Sequence, residues 1–166
     1  MGARFLEQQK EVKIVFNDYS ADSFALADAL VSKVNLYKKT NVMEIYLDAK
    51  EHIAITEIQK FEKYAIKRFG LRDCKLKITT PHTDLSTTNN FVQSEWNDSI
   101  KFLSAKVPAV KAFMKDSKTN FNDDNIEVEL NVKGKDILEK QRVDSYISDF
   151  LSDTYGKCYK VFFKDN

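Results

Sequence analysis

Few residues in this sequence combine the type and the spacing that catalysis or metal binding requires. Asp123 and Asp124 are the one candidate for a pair of catalytic or metal-binding carboxylates. A metal-dependent active site needs carboxylates that converge from several elements. The run Asn-Asp-Asp-Asn is instead typical of a tight turn, because Asn and Asp tolerate positive φ and bond their own backbone. The sequence therefore favours a turn here, and an independent enzyme is the weakest functional hypothesis.

Other catalytic and cofactor-binding signatures are missing from the sequence. His52 and His82 are far apart and near no cysteine, so they form no zinc ligand set. The four glycines form neither a GxGxxG nor a Walker loop, and the GxxG loop of KH domains is missing as well. Cys74 and Cys158 belong to no CxxC pair and predict buried, reduced thiols of a cytosolic protein. We therefore expect no catalytic, cofactor-binding or metal-binding residue.

Aromatic side chains beside lysines are the main binding signal. Two runs that alternate apolar and polar residues flank the turn-like KKTN and predict a β-hairpin with one buried and one wet face. The tyrosines of such a wet face could stack on nucleic-acid bases or belong to a protein interface, where tyrosine is enriched. The remaining alternative is ordinary cross-strand pairing of solvated side chains, with no binding role. The candidate interaction surface consists of Lys33, Tyr37, Lys38, Lys39 and Tyr46.

The charge balance argues against general nucleic-acid binding. The chain has 166 residues, with 26 Lys and Arg against 25 Asp and Glu, and a net charge of +1. Neutralisation of phosphates usually shows as a basic surplus, so DNA binding is expected to be weak. No apolar run reaches the roughly 18 residues of a membrane-spanning helix, so no membrane association is expected.

The elements that position the candidate surface can be predicted from periodicity. In the hairpin, Val34 and Leu36 should point inward, opposite the tyrosines. A helix is predicted over 56–70, with Thr56 and Gln59 as a capping box and Gly70 as its C′ residue. Its inner face should hold Ile58, Phe61, Ala65 and Phe69, and a strand follows at 74–79. The secondary structure of residues 1–30 is ambiguous. A helix would place Phe5, Val12 and Phe16 on one face, but residues 11–16 also fit a short strand. A second short helix is predicted after them, with Asp22 or Ser23 as its N-cap.

The second half repeats the order of the first. A helix face formed by Val92, Trp96, Ile100 and Leu103 precedes a helix that starts at Pro108. A hairpin follows around 122–125, with inward residues as far as Val132, then a helix that Gly156 ends, then a strand over 158–163. The predicted fold class is therefore α+β, with helices on an antiparallel or mixed sheet. The predicted boundaries are an N-terminal subdomain at 1–80, a polar linker at 81–90 and a second subdomain at 91–166.

Taken together, these segments resemble the N-terminal region of the PolC-type DNA polymerase III α subunit, the replicative polymerase of low-GC Gram-positive bacteria. The resemblance covers roughly residues 28–166. It is carried in collinear order by VSKVNLYKKTNVMEIYL, by FVQSEWNDSIKFLSAKVPAVKAFMKDSKTNFNDDNIEVEL and by ILEKQRVDSYISDFLSDTYGKCYKVFF.

The resemblance implies a truncated KH-like fold, similar to the polymerase-binding domain of the clamp-loader τ subunit. It also implies a non-catalytic, cytoplasmic module that binds replisome proteins: clamp-loader τ, helicase or primase, or the remainder of the polymerase. The polymerase and 3′–5′ exonuclease activities of the family belong to other domains, whose acidic residues have no matching positions here. An accessory single-stranded DNA-binding module is the alternative function.

Overall fold

The computed structural model describes residues 9–80 and 85–166, and the chain divides into two compact units. Unit 1 is Met1–His82 and unit 2 is Thr83–Asn166. Each unit has its own mixed sheet with helices, which confirms the predicted α+β class. Both sheets are built from a β-hairpin, a helical crossover and a strand parallel to the second hairpin strand.

The described residues of unit 1 form a four-stranded sheet with one long helix. Its elements are β1 (Lys10–Glu11), α1 (Val12–Val15), α2 (Phe24–Ala27), β2 (Leu30–Tyr37), β3 (Val42–Asp48), α3 (Ile55–Phe69) and β4 (Asp73–Thr79). The strand order is β1-β2-β3-β4, with β3 and β4 parallel. The N-cap prediction at Ser23 is confirmed, because its hydroxyl accepts the Leu26 N–H. Phe5 lies outside the described residues.

The core of unit 1 lies on one face of this sheet. Alternate residues of β3 and β4, such as Ile45 and Leu76, are buried, and Phe61 of α3 is fully buried. Gly70 ends α3 in the left-handed conformation, φ 63°, as predicted. The capping box is wrong, because α3 begins one residue earlier, with Ala54 as an N-cap that makes no side-chain bond.

The expected burial is also wrong at the margins of this core. Phe69 ends α3 with 42% of its surface exposed, and Val34 and Leu36 of β2 are 44% and 48% exposed. Strand pairing still puts Val34 and Leu36 on the same face as the buried residues of β3. Among the described residues, however, β1 pairs with β2 only at its first two positions, so most of β2 is an edge strand with no neighbour to cover it.

Unit 2 is a three-stranded sheet with five helices among its described residues. Its elements are α4 (Leu85–Ser94), α5 (Trp96–Lys106), α6 (Pro108–Phe113), β5 (Lys118–Asn122), β6 (Asn125–Leu130), α7 (Lys135–Lys140), α8 (Val143–Tyr155) and β7 (Lys160–Asp165). The strand order is β5-β6-β7, with β6 and β7 parallel. The turn predicted at 122–125 is confirmed, and Asp123 adopts φ 51° there.

Several details of unit 2 differ from the sequence prediction. The helix face expected across Val92 and Trp96 is divided between α4 and α5, which break at Glu95. The short helix α7 is not apparent from periodicity. Val132 is 50% exposed because β6 ends two residues before it. The final strand begins at Lys160, so Cys158 precedes it.

Helix α4 occupies part of the range that was predicted as a linker. Residues 85–90 form its first turns, and Thr88 and Val92 on one side of it are buried. Asn89 accepts a hydrogen bond from the Lys157 ammonium at 2.8 Å. Thr88, Asn89 and Val92 therefore attach α4 to the rest of unit 2 through contacts that local composition does not reveal.

The two cysteines differ in environment. Both are free thiols, but Cys74 is buried and Cys158 is exposed, so the expectation of two buried thiols is wrong for Cys158. Within 9–80 and 85–166, no helix is long and apolar enough to cross a bilayer.

Candidate docking surface

One face of the unit 1 sheet carries polar and aromatic side chains, and is called the open face here. It is opposite the face on which Met43, Ile45 and Leu47 are buried. Because successive strand residues point to opposite faces, the register of β2, β3 and β4 determines its members. They are Leu30, Lys33, Asn35, Tyr37, Val42, Glu44, Tyr46, Asp48, Asp73, Lys75, Lys77 and Thr79.

Glu44 is the centre of a hydrogen-bond network on the open face. Its Oε1 accepts from the Tyr37 hydroxyl at 2.8 Å and from the Tyr46 hydroxyl at 3.4 Å. Its Oε2 lies 3.3 Å from the Lys77 ammonium, and the Glu44 side chain is only 14% exposed. Side chains of three adjacent strands are therefore ordered around one carboxylate.

This network keeps Glu44 ionised. Desolvation raises the pKa of Glu44, but the hydrogen bonds from Tyr37 and Lys77 and the charge of Lys77 outweigh it, so the pKa lies below its ordinary value. The hydrogen bond to Glu44 is also the main reason that the pKa of Tyr37 is raised. At neutral pH the network therefore holds the ionised Glu44 carboxylate and the neutral Tyr37 phenol.

Two ammonium groups lie over the ring of Tyr46. Lys33 Nζ is 5.4 Å and Lys77 Nζ is 5.6 Å from the ring centroid, which is the range of cation–π interactions. Tyr37, in contrast, is 49% exposed. The two tyrosines predicted as equivalent therefore differ: the ring of Tyr46 is engaged within the sheet, and that of Tyr37 is accessible.

The two remaining predicted residues, Lys38 and Lys39, lie in the turn between β2 and β3. The structure therefore brings Lys33, Tyr37 and Tyr46 together on the open face and places Lys38 and Lys39 at its end, where both are exposed. The turn is fixed by Asn41, whose side-chain amide donates to the Gly70 carbonyl at 2.7 Å.

Sequence reasoning missed the contribution of β4. Lys75 and Lys77 project from β4 onto the open face, and Lys77 contacts both Glu44 and Tyr46. The alternation of apolar and polar residues from Cys74 onward did predict that Lys75 and Lys77 point outward. However, only the parallel pairing of β4 with β3 brings them beside the hairpin, and local pattern does not reveal that pairing.

The open face is balanced in charge and offers no metal site. Three lysines share the surface with three carboxylates: Lys33, Lys75 and Lys77 with Glu44, Asp48 and Asp73. Within residues 9–80 and 85–166, no group of three or more His, Cys, Asp or Glu side chains could hold a metal ion. Asp124 lies in the β5–β6 turn, 3.1 Å from Lys157 Nζ. The interleaved lysines and carboxylates of the open face can bind a surface of mixed charge.

Comparison with known proteins identifies the family of the first unit. No curated protein and no solved structure matches the chain significantly. Residues 11–80, which contain the whole open face, match the family described as DNA polymerase III polC-type N-terminus I, so the resemblance is confirmed for this part of the chain and implies a role in DNA replication.

Proposed function

We propose that unit 1 is a non-catalytic docking domain of a replicative DNA polymerase, and that its open face binds another protein of the replisome. The candidate partners are the clamp-loader τ subunit, the helicase, the primase and the remainder of the polymerase. In this proposal the module works in the bacterial cytoplasm, where the replisome assembles.

The ordered network around Glu44 is the observation that carries the proposal. A surface whose side chains already hold one another loses little conformational entropy when a partner binds. Tyr37, half exposed beside this network, has the large and rigid side chain that is enriched at the energetic centres of interfaces. Interleaved lysines and carboxylates provide a pattern that another protein surface can complement.

Single-stranded DNA binding, the alternative, is supported by Tyr37 with Lys38 and Lys39 next to it. A stacking platform needs free aromatic faces and a basic track for the backbone. Lys33 and Lys77 lie over the Tyr46 ring, and the carboxylates of the face offset its lysines. These features favour protein docking over DNA binding.

The proposal is tested by calorimetric titration of the full chain with each purified candidate partner. Binding at roughly 10 µM or tighter, about −7 kcal/mol, is expected for one of them. Tyr37→Ala and Lys75→Glu should each weaken it by about tenfold, because both side chains are exposed on the open face. Circular dichroism should show that both variants remain folded.

Lys63→Glu is the matched control, because Lys63 is an exposed lysine of α3 and lies outside the open face. Its affinity should equal that of the wild type. The docking function is refuted if no candidate partner binds, and the assignment to the open face is refuted if Lys63→Glu weakens binding as much as Lys75→Glu.

A fluorescence-anisotropy titration with labelled oligothymidylate at low and moderate salt decides between the two functions. Docking predicts no micromolar binding at either salt concentration. Binding that weakens with salt and that Tyr37→Ala or Tyr46→Ala reduces by about 1–3 kcal/mol per stacked base would establish the DNA-binding alternative instead.

A further inference from the structure

Unit 2 has a groove that the docking function does not use. The groove lies between α5, α6 and the turn that leads into β5, and its volume is about 440 Å³. Trp96, Ile100 and Met114 supply apolar atoms to its lining, and Trp96 and Met114 also belong to the buried core. Ser117 holds the turn in place by donating its hydroxyl to the Met114 carbonyl at 2.8 Å. The groove therefore has an apolar base on a packed scaffold.

The rim of the groove is basic. Lys101 of α5, Lys111 of α6 and Lys115 of the turn line it, together with a single carboxylate, Asp116. All three lysines are exposed, and in the described part of the chain none has an ion-pair partner. In a chain with a net charge of +1, this is a local surplus of positive charge around an apolar base.

The combination favours one class of ligand. A phosphate backbone has no apolar group that could pack on the apolar base. Proteins that bind single-stranded nucleic acid without sequence preference also present exposed aromatic rings on which the bases stack. The one aromatic residue of this lining, Trp96, is 6% exposed, and its ring meets that of Phe121 edge-on at 5.5 Å. A polypeptide can supply both an apolar side chain for the base and carboxylates for the rim.

We propose that this groove binds an acidic segment of a partner polypeptide, with one apolar side chain of that segment on Ile100 and its carboxylates on Lys101, Lys111 and Lys115. The groove is then a second docking site, separate in sequence from the open face of unit 1.

The test uses the full chain and a labelled synthetic peptide in which Asp and Glu residues flank one Phe. Fluorescence anisotropy should show binding that weakens as salt rises, since the rim charges are exposed. Replacing the Phe of the peptide with Ala, or its acidic residues with the corresponding amides, should each weaken binding by about tenfold. These peptide variants leave the fold of the protein untouched.

On the protein side, the triple variant Lys101→Glu, Lys111→Glu, Lys115→Glu should lose at least about tenfold in affinity. The triple variant Lys63→Glu, Lys140→Glu, Lys164→Glu has the same net charge, with all three changes at exposed lysines outside the groove, and should bind like the wild type. Thermal unfolding should show both variants folded.

Three results would overturn the proposal: no binding of the acidic peptide, equal weakening by the two triple variants, or binding that does not depend on the Phe. Labelled oligothymidylate is the competing probe. Its binding, lost only in the groove variant and without binding of the peptide, would reassign the groove to nucleic acid.

Discussion

Tyr37 donates its hydroxyl to the Glu44 carboxylate at 2.8 Å, diagonally across the antiparallel pair β2–β3. Tyr37→Phe removes this donor, so the pKa of Glu44 should rise toward its ordinary value. An NMR titration of the Glu44 carboxyl carbon against pH measures the change directly. Because the folded-state pKa of Glu44 is lowered, its contribution to stability is present above its unfolded-state pKa and is lost as pH falls through the folded value.

Tyr46→Phe is the matched control for this titration. The Tyr46 hydroxyl lies 3.4 Å from the same oxygen, at the long end of hydrogen-bond geometry. We therefore expect a smaller rise in the pKa of Glu44 than with Tyr37→Phe. Equal shifts in the two variants would contradict the central role of the Tyr37 contact.

Phe61 and Phe69 of α3 should respond very differently to the same substitution. Phe61 is fully buried and meets the rings of Phe16 and Tyr19 at 5.1 Å each. Phe61→Ala should therefore reduce the free energy of unfolding by about 3–5 kcal/mol. Phe69 is 42% exposed, so Phe69→Ala should cost only about 1 kcal/mol. Urea denaturation of both variants is the measurement, and equal losses would refute the assigned burial.

The features that local chemistry encodes could be predicted from the sequence. Gly70 and Gly156 end helices in the left-handed conformation that glycine adopts without strain, and Asp123 adopts positive φ in its turn. The alternation in β2 and β3 correctly separated the two faces of the hairpin. Each of these features depends on a few residues that are adjacent in the chain.

The features that depend on distant neighbours could not be predicted. Val34 alternates like Ile45, yet Val34 is exposed because, in the described part of the chain, β2 is an edge strand for most of its length. Lys77 reaches Glu44 only because β4 pairs in parallel with β3 after the whole of α3. The candidate surface was therefore found from its hairpin half, and the contribution of β4 required the fold.

Asp165, near the end of the chain, should make unit 2 sensitive to acid. Its carboxylate accepts the backbone N–H groups of Gly134 at 2.9 Å and Lys135 at 3.0 Å, where α7 begins, and these bonds hold its pKa below the ordinary value. Asp165→Asn should therefore be less stable than the wild type at neutral pH. The difference should shrink as pH falls below about 4, the unfolded-state value for Asp.

Urea unfolding across this pH range measures the effect. Asp149→Asn is the control, since Asp149 is an exposed carboxylate of α8. Its difference from the wild type should be small at every pH. A constant deficit of Asp165→Asn from neutral to acid pH would show that the ionised carboxylate is not what stabilises the start of α7.

Gly134 should resist substitution because of space rather than backbone conformation. Its φ of −163° lies outside the left-handed region that favours glycine, but an added Cβ would overlap the ring of Phe113, with Cγ only 2.8 Å away. Gly134→Ala should therefore cost about 1–3 kcal/mol, as overpacking does. Gly70→Ala provides a contrast, because its Cβ would meet nothing within 4 Å and its cost, about 1 kcal/mol, would come from φ alone.

A double-mutant cycle separates the steric cause from other causes. Phe113→Ala removes all the ring atoms that the new Cβ would strike, so Gly134→Ala should cost less in that background than in the wild type. The two changes would then show a coupling energy of about 0.5–3 kcal/mol, as expected for residues in contact. Gly70→Ala should cost the same in both backgrounds, because a strained φ does not depend on Phe113. A penalty for Gly134→Ala that Phe113→Ala leaves unchanged would instead place the constraint in the backbone at the start of α7.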